Sequence, residues 1–225
     1  MEASEEDMKI LENVQPFTMT SPERLWALLQ ATRYVVANEI SGDLVEVGVW
    51  QGGSLMTMGS VLLRERAFDR KVWGYDTFDG MTEPSSVDVE SVSGRTASTL
   101  LNEQSPSDPR SVWCAASMAT VNGNLKRARL GQIGFELVEG DIREGLGMRM
   151  PETIALLRLD TDWYDSTYAS LTRFYPLLRK GGVCIVDDYG HWSGARKAVD
   201  SYLKEVGANP LIQYIDYTGR LFLKT

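Results

Sequence analysis

Two kinds of apolar pattern alternate along this chain. From Ser21 onward, Leu25, Leu28, Leu29, Val35, Val36 and Ile40 recur on one face at helical spacing, with Thr32 the only polar residue in the stripe. Ser21 suits the N-cap and Pro22 the first helical position, so this stretch predicts an amphipathic helix laid on a core. Short β-branched runs follow a different rule. "LVEVGVW", "KVWGYDTF", "FELVEGDI", "IALLRLD" and "GVCIVDD" are apolar on successive positions, as strands buried on both faces are.

Between the strands lie helical patterns. "QGGSLMTMGSVLLRER" reads as a helix opened by glycines. "DSTYASLTRFYPLLRKGG" reads as a helix with Asp165 or Ser166 at its start and Gly181 past its end, and "SGARKAVDSYLKEVG" as another. The terminal "LIQYIDYTGRLFLKT" predicts two strands around a Thr218-Gly219 turn. The fold class is therefore α/β: a mostly parallel, doubly wound sheet covered on both faces and ending in an antiparallel hairpin. Two segments break the rhythm. Residues 1–16 are polar and acidic, expected to be mobile or to fold over another element, and residues 81–110 are rich in Ser, Pro and Asp, expected to form a mobile lid.

At 225 residues the chain suits one large domain, residues 1–225. A net charge of −8 disfavours nucleic acid and anionic membrane surfaces as partners. Cys114 and Cys184 cannot make a disulfide framework, and Cys184 reads as a small buried residue. The acidic start is unlike a secretory signal, and no apolar run approaches the roughly 20 residues of a membrane span. A cytoplasmic enzyme or binding protein is expected, and a homo-oligomer is compatible with the sequence.

Ligands of a doubly wound sheet collect outside the carboxyl ends of its strands, and the acids of this chain sit there. Glu46 leads into Gly48, Gly52, Gly53 and Ser54, in a spacing that is not the G-x-G-x-x-G of dinucleotide enzymes. Asp76, ending the second strand, suits the two hydroxyls of a ribose, and Asp141, ending the third, with the next backbone N–H, suits an adenine edge. A nucleoside without phosphates fits so acidic a pocket. Asp160 and Asp162 should face Asp187 and Asp188 if the fourth and fifth strands are neighbours. So many carboxylates require a cation, and an all-oxygen set points to a hard ion such as Mg²⁺.

Together, "MTSPERLWALLQATRYVV", "GDLVEVGVWQGGS", "GYDTFDGM", "LRLDTDWYDST" and "VDDYGHWSGARKAVD" resemble the macrocin O-methyltransferase family, over about residues 15–205. The resemblance implies a Rossmann-like, S-adenosylmethionine-dependent methyltransferase fold acting on sugar hydroxyls of natural products, with a small glycosylated acceptor as partner. It implies Mg²⁺ on Asp160, Asp187 and Asp188, with Asp162 as the candidate general base. It also implies that the N-terminal segment, residues 1–40, and the insertion, residues 81–125, close over the site. His191, the only histidine, is a second candidate base, a donor to the acceptor, or a structural residue of its loop. Trp163 and Trp192 could stack on a sugar ring or simply pack. Two rival readings remain: a glycosyltransferase or phosphohydrolase using D-x-D, and a non-catalytic nucleoside-binding protein.

Overall fold

A computed structural model of the protein describes residues 3–108, 111–145 and 147–225. Seven strands form one sheet: β1 (Asp43–Val47), β2 (Lys71–Asp76), β3 (Gly134–Glu139), β4 (Ile154–Leu159), β5 (Leu178–Val186), β6 (Gln213–Tyr214) and β7 (Arg220–Leu223). Their spatial order is β3-β2-β1-β4-β5-β7-β6. The first five are mutually parallel, and β7 runs antiparallel to both β5 and β6. The chain reverses its direction of travel across the sheet between β1 and β4, and that switch point opens the crevice where the acids gather.

Successive residues of the central strands feed opposite cores, as the period of two requires. Leu44, Val183 and Ile185 pack with α2 (Pro22–Ala37) and α3 (Gly53–Arg64), while Val45, Val47, Cys184 and Val186 pack with α6 (Tyr164–Phe174) and α7 (Ser193–Glu205). Ser21 caps α2 as its position predicts, accepting the Arg24 amide at 3.1 Å.

The acidic N-terminus folds over another element. It forms α1 (Glu5–Val14), which buries Leu11 and Val14. Asp7 fastens it, accepting Arg33 of α2 at 2.5 Å and Arg64 of α3 at 2.6 Å. The expected mobile stretches extend to residues 1–2 and 109–110, which lie outside the described residues.

Two boundaries differ from the sequence reading. Helix α6 starts at Tyr164 and stops at Phe174, far short of Gly181. Pro176 lacks the N–H that would continue the helix; a 3-10 turn at Tyr175–Leu177 follows, and Gly181 lies inside β5 at φ 78°. The insertion after β2 is also more ordered than a bare loop. It contains α4 (Ala97–Glu103) and α5 (Met118–Arg127). Its first part is stitched to the turn after β5: Ser91 N–H donates to His191 O at 2.7 Å, and Ser193 N–H to Val89 O at 2.9 Å. No helix among the described residues is long and apolar enough to cross a membrane.

Candidate active site

The carboxyl ends of β1, β2, β4 and β5 border an open cleft of about 350 Å³. Every candidate cofactor, metal and catalytic residue named from the sequence lines it except Gly52; of the two tryptophans, Trp192 lines it and Trp163 does not. Gly52 instead serves as the left-handed N-cap of α3, at φ 91°. Two other glycines work by close approach. A Cβ on Gly48 would stand 1.9 Å from the carbonyl oxygen of Asp160, so β1 and β4 can meet at the cleft floor only without a side chain there. A Cβ on Gly53 would stand 2.7 Å from Phe17 O, so this glycine makes room for the N-terminal segment where it crosses the cleft.

Asp76 organises the glycine loop. Its Oδ2 accepts the amides of Val49 at 2.6 Å and Trp50 at 3.2 Å, and its Oδ1 that of Phe78 at 2.8 Å. The Thr77 hydroxyl, at 3.4 Å from Oδ1, is a fourth and longer contact, the one that a ribose hydroxyl would most easily replace. Asp141 is more committed. Arg143 forks onto both its oxygens, at 2.6 Å between Nη2 and Oδ2, and holds its carboxyl below the usual range.

The central feature is a buried charge network that sequence reading missed. Glu46 of β1 and Arg158 of β4 are register partners on one face of the sheet and form an ion pair there. Arg158 also donates to Asp160 at 2.8 Å and to Asp187 at 2.6 Å. Arg24, from the first turn of α2, forms an ion pair with Asp187, which also accepts the Thr20 hydroxyl at 3.1 Å. Both arginines carried a sequence signal. Arg158 is the lone charge within an otherwise apolar strand, and Arg24 is a cation in the first turn of a helix, where the macrodipole disfavours it.

Five carboxylates at this cleft, Glu46, Asp160, Asp162, Asp187 and Asp188, thus face two guanidiniums. The imbalance shows in their protonation. Burial, reinforced by the Asp160 charge and opposed by Arg158, pushes Glu46 up to about 8. Burial with the charges of Asp160 and Asp187 pushes Asp162 up to about 7, although its hydrogen bond to Asp188 pulls the other way. Asp162 also holds a left-handed backbone at φ 59°, a conformation that a non-glycine residue adopts at a cost and that aims its side chain into the cleft.

Three buried polar atoms lining the cleft lack a partner among the described residues: Glu46 Oε2, Asp188 Oδ2 and Trp50 Nε1. These unpaired atoms belong to residues that line one cleft, so hydrogen-bonding capacity is left over at its wall. Asp160, Asp187 and Asp188 each offer an oxygen, all within 4.8 Å of one another, which suits a small hard cation.

His191 lies at the rim, tied on both sides. Tyr217 OH is 2.7 Å from its Nδ1, and Glu90 lies 3.4 Å from its Nε2. Burial keeps its pKa below the ordinary value despite Glu90. Trp163 and Trp192 pack edge to face at 4.8 Å between centroids, both buried, in a small core with Ala97, Leu100 and Leu101 of the insertion. Trp163 is accordingly a packing residue, and its Nε1 donates to Thr82 O at 2.9 Å. Neither Glu90 nor Tyr217 carried a recognisable sequence signal.

A seven-stranded sheet of this order, with an acid-lined nucleoside-sized cleft at its switch point, defines a class I, S-adenosylmethionine-dependent O-methyltransferase. The chain belongs to the macrocin-O-methyltransferase (TylF) family, whose model matches residues 6–224. It is 31% identical over 208 residues to the demethyldecarbamoylnovobiocin O-methyltransferase of Streptomyces niveus, spanning 92% of this chain and 76% of that protein. It is 33% identical over 202 residues to the 8-demethyl-8-(2,3-dimethoxy-alpha-L-rhamnosyl)-tetracenomycin-C 4'-O-methyltransferase of Streptomyces olivaceus, spanning 90% and 73%. Among solved structures it resembles the O-methyltransferase NovP, with a TM-score of 0.81 and 31% identity over 93% of this chain and 82% of that one. The calicheamicin methyltransferase CalS11, at 19% identity and a TM-score of 0.66 over 99% of this chain and 94% of its own, shares the fold. The phosphohydrolase, glycosyltransferase and non-catalytic readings of the acids find no support in these comparisons.

Proposed function

We propose that this O-methyltransferase acts on a hydroxyl of a sugar, or of a related polyhydroxylated group, in a glycosylated natural product, with Mg²⁺ assisting. The observation that carries the reading is the convergence of Asp160, Asp187 and Asp188 within 4.8 Å, with Asp162 lining the same cleft. The names of the relatives, which describe novobiocin-type and rhamnosyl-tetracenomycin acceptors, support the substrate class.

When bound, S-adenosylmethionine supplies an electrophilic methyl group and the divalent cation supplies positive charge for a developing alkoxide. The chain's own residues do the rest. Glu46, Gly48, Gly53, Ser54 and Asp76 form the cofactor side of the cleft, with Gly52 turning the loop and Asp141 at its far edge. Glu46 would accept from the ammonium group of the cofactor's methionine part, and Asp76 from its ribose. Asp160, Asp187 and Asp188 would hold the ion. Asp162, which lines the cleft beside those acids, takes the hydroxyl proton as the oxygen attacks. His191, held by Tyr217 and Glu90, orients the acceptor at the rim. The whole chain acts as one catalytic domain, in which residues 1–40 and 81–125 cover the site and exclude water.

A screen of glycosylated natural products with methyl-labelled S-adenosylmethionine, with Mg²⁺ and with a chelator, tests this. Label should enter sugar-bearing acceptors and disappear on chelation. Undiminished transfer in chelator would refute the role of the ion, and transfer only to acceptors without a polyhydroxylated group would refute the substrate class.

A further inference from the structure

Both oxygens of Asp187 are already held by guanidinium groups. Arg158 takes Oδ1 at 2.6 Å, and Arg24 takes Oδ2 in an ion pair. The two arginines differ in their freedom. Arg158 is buried within the sheet, and its carboxylate partners, Glu46, Asp160 and Asp187, all belong to the cleft. Arg24 has a second carboxylate outside the acid cluster. Its Nε lies 3.0 Å from Asp216 Oδ2, in the turn between β6 and β7.

That second seat is built in advance. Asp216 Oδ2 accepts the Ser21 hydroxyl at 2.7 Å, and its Oδ1 accepts the amides of Thr218 at 3.0 Å and Gly219 at 2.6 Å. The stem of Arg24 runs directly over Gly219, where a Cβ would stand 2.9 Å from both Cγ and Cδ of Arg24. The hairpin turn therefore provides both a carboxylate and the space to reach it. The side chain can leave Asp187 without becoming an unpaired buried charge, which would be costly.

We infer that Arg24 is the resident counter-charge of Asp187, holding this carboxylate when no divalent ion does, and that its guanidinium, which bridges Asp187 and Asp216, releases Asp187 and keeps Asp216 when an ion enters. The inference rests on the cation reading proposed above. A divalent ion on Asp160, Asp187 and Asp188 is repelled by a guanidinium bonded to one of the same carboxylates, so Arg24 lowers the affinity of the cluster for the ion. It also compensates the charge of Asp187 in the folded chain before any ion arrives.

The test is direct binding of Mn²⁺ to the full-length protein, read from the free-ion electron paramagnetic resonance signal, with folding checked by circular dichroism. Arg24→Met removes the charge and should tighten binding roughly tenfold or more. Arg24→Lys keeps the charge and should stay near the wild-type affinity. Asp216→Asn removes charge from the alternative seat and should weaken binding, a readout that survives even if Arg24→Met fails to fold. Unchanged or weaker Mn²⁺ binding in folded Arg24→Met, or unchanged binding in Asp216→Asn, would overturn the role of Arg24 while leaving the cation site standing. Absence of Mn²⁺ binding from the wild type and every variant would overturn both.

Discussion

Asp88, in the insertion after β2, accepts the backbone amide of Tyr164 at 2.7 Å and so caps α6 from a segment 76 residues away in sequence. Trp163, the residue at the N-cap, makes no side-chain capping bond of its own. Asp88 is fully buried and also accepts the amide of Ser85 at 2.7 Å. Gly194 leaves room for it, since a Cβ there would stand 1.8 Å from Asp88 Oδ1. One carboxylate thus joins the insertion, the start of α6 and the start of α7, directly behind the D-x-D acids.

Removing that carboxylate should loosen the insertion. Asp88→Ala strands two part-buried amides and should lower stability by about 1–3 kcal/mol, a fall in Tm of roughly 2–10 °C. Limited proteolysis within the insertion should quicken in the same variant. A melting curve indistinguishable from wild type would show that Asp88 does not hold the insertion in place.

Asp76 should matter twice. Asp76→Ala removes the acceptor for the Val49 and Trp50 amides as well as the proposed ribose contact. Calorimetry should show S-adenosylhomocysteine binding weakened by about 1.5–3 kcal/mol, roughly ten- to hundredfold. Retained affinity in a folded variant would remove Asp76 from the cofactor site.

Asp162 and His191 should separate cleanly. Asp162→Asn keeps the shape but not the basicity, so turnover should fall by roughly 10²–10⁴-fold with cofactor affinity preserved. His191→Gln disturbs a side chain already bonded to Tyr217, and its main effect should be on KM for the acceptor. The reverse ranking in kcat would make His191 the base.

Acid should expose the role of Asp7. Its burial raises the carboxyl, but bonds from Arg64, Ser4 and Arg33 outweigh that and hold it well below the usual carboxylate range. A depressed folded pKa contributes stability that is complete above the unfolded value, near 3.9, and is lost as pH falls through the folded one. Asp7→Asn should therefore be less stable than wild type at pH 7, and the gap in urea midpoint should narrow once the pH drops below about 4. A gap independent of pH would mean that the charge on Asp7 does not pin α1 to α2 and α3.

The sequence by itself determined the sheet and the location of the cleft. Those depend on local chemistry: apolar runs long enough for one strand, Ser21 and Pro22 opening α2, and acids at the ends of successive strands, all read within a few residues of one another. It also carried the family, because the motifs that hold the glycine turn and the paired acids are contiguous. Tertiary structure alone decided how the acids are compensated. Carboxylate repulsion called for positive charge, and the sequence reading supplied only a metal ion, whereas Arg158 and Arg24 reach the cluster from a neighbouring strand and a distant helix. The pairing of Glu46 with Arg158 depends on the register between β1 and β4, and a shift of one residue would turn one of them to the other face. The order in the insertion was likewise settled at long range, by the buried Asp88, whereas the end of α6 was legible locally in Pro176. Contacts between residues far apart in the chain leave no periodic trace in it, and at this site they set the charge balance on which the chemistry depends.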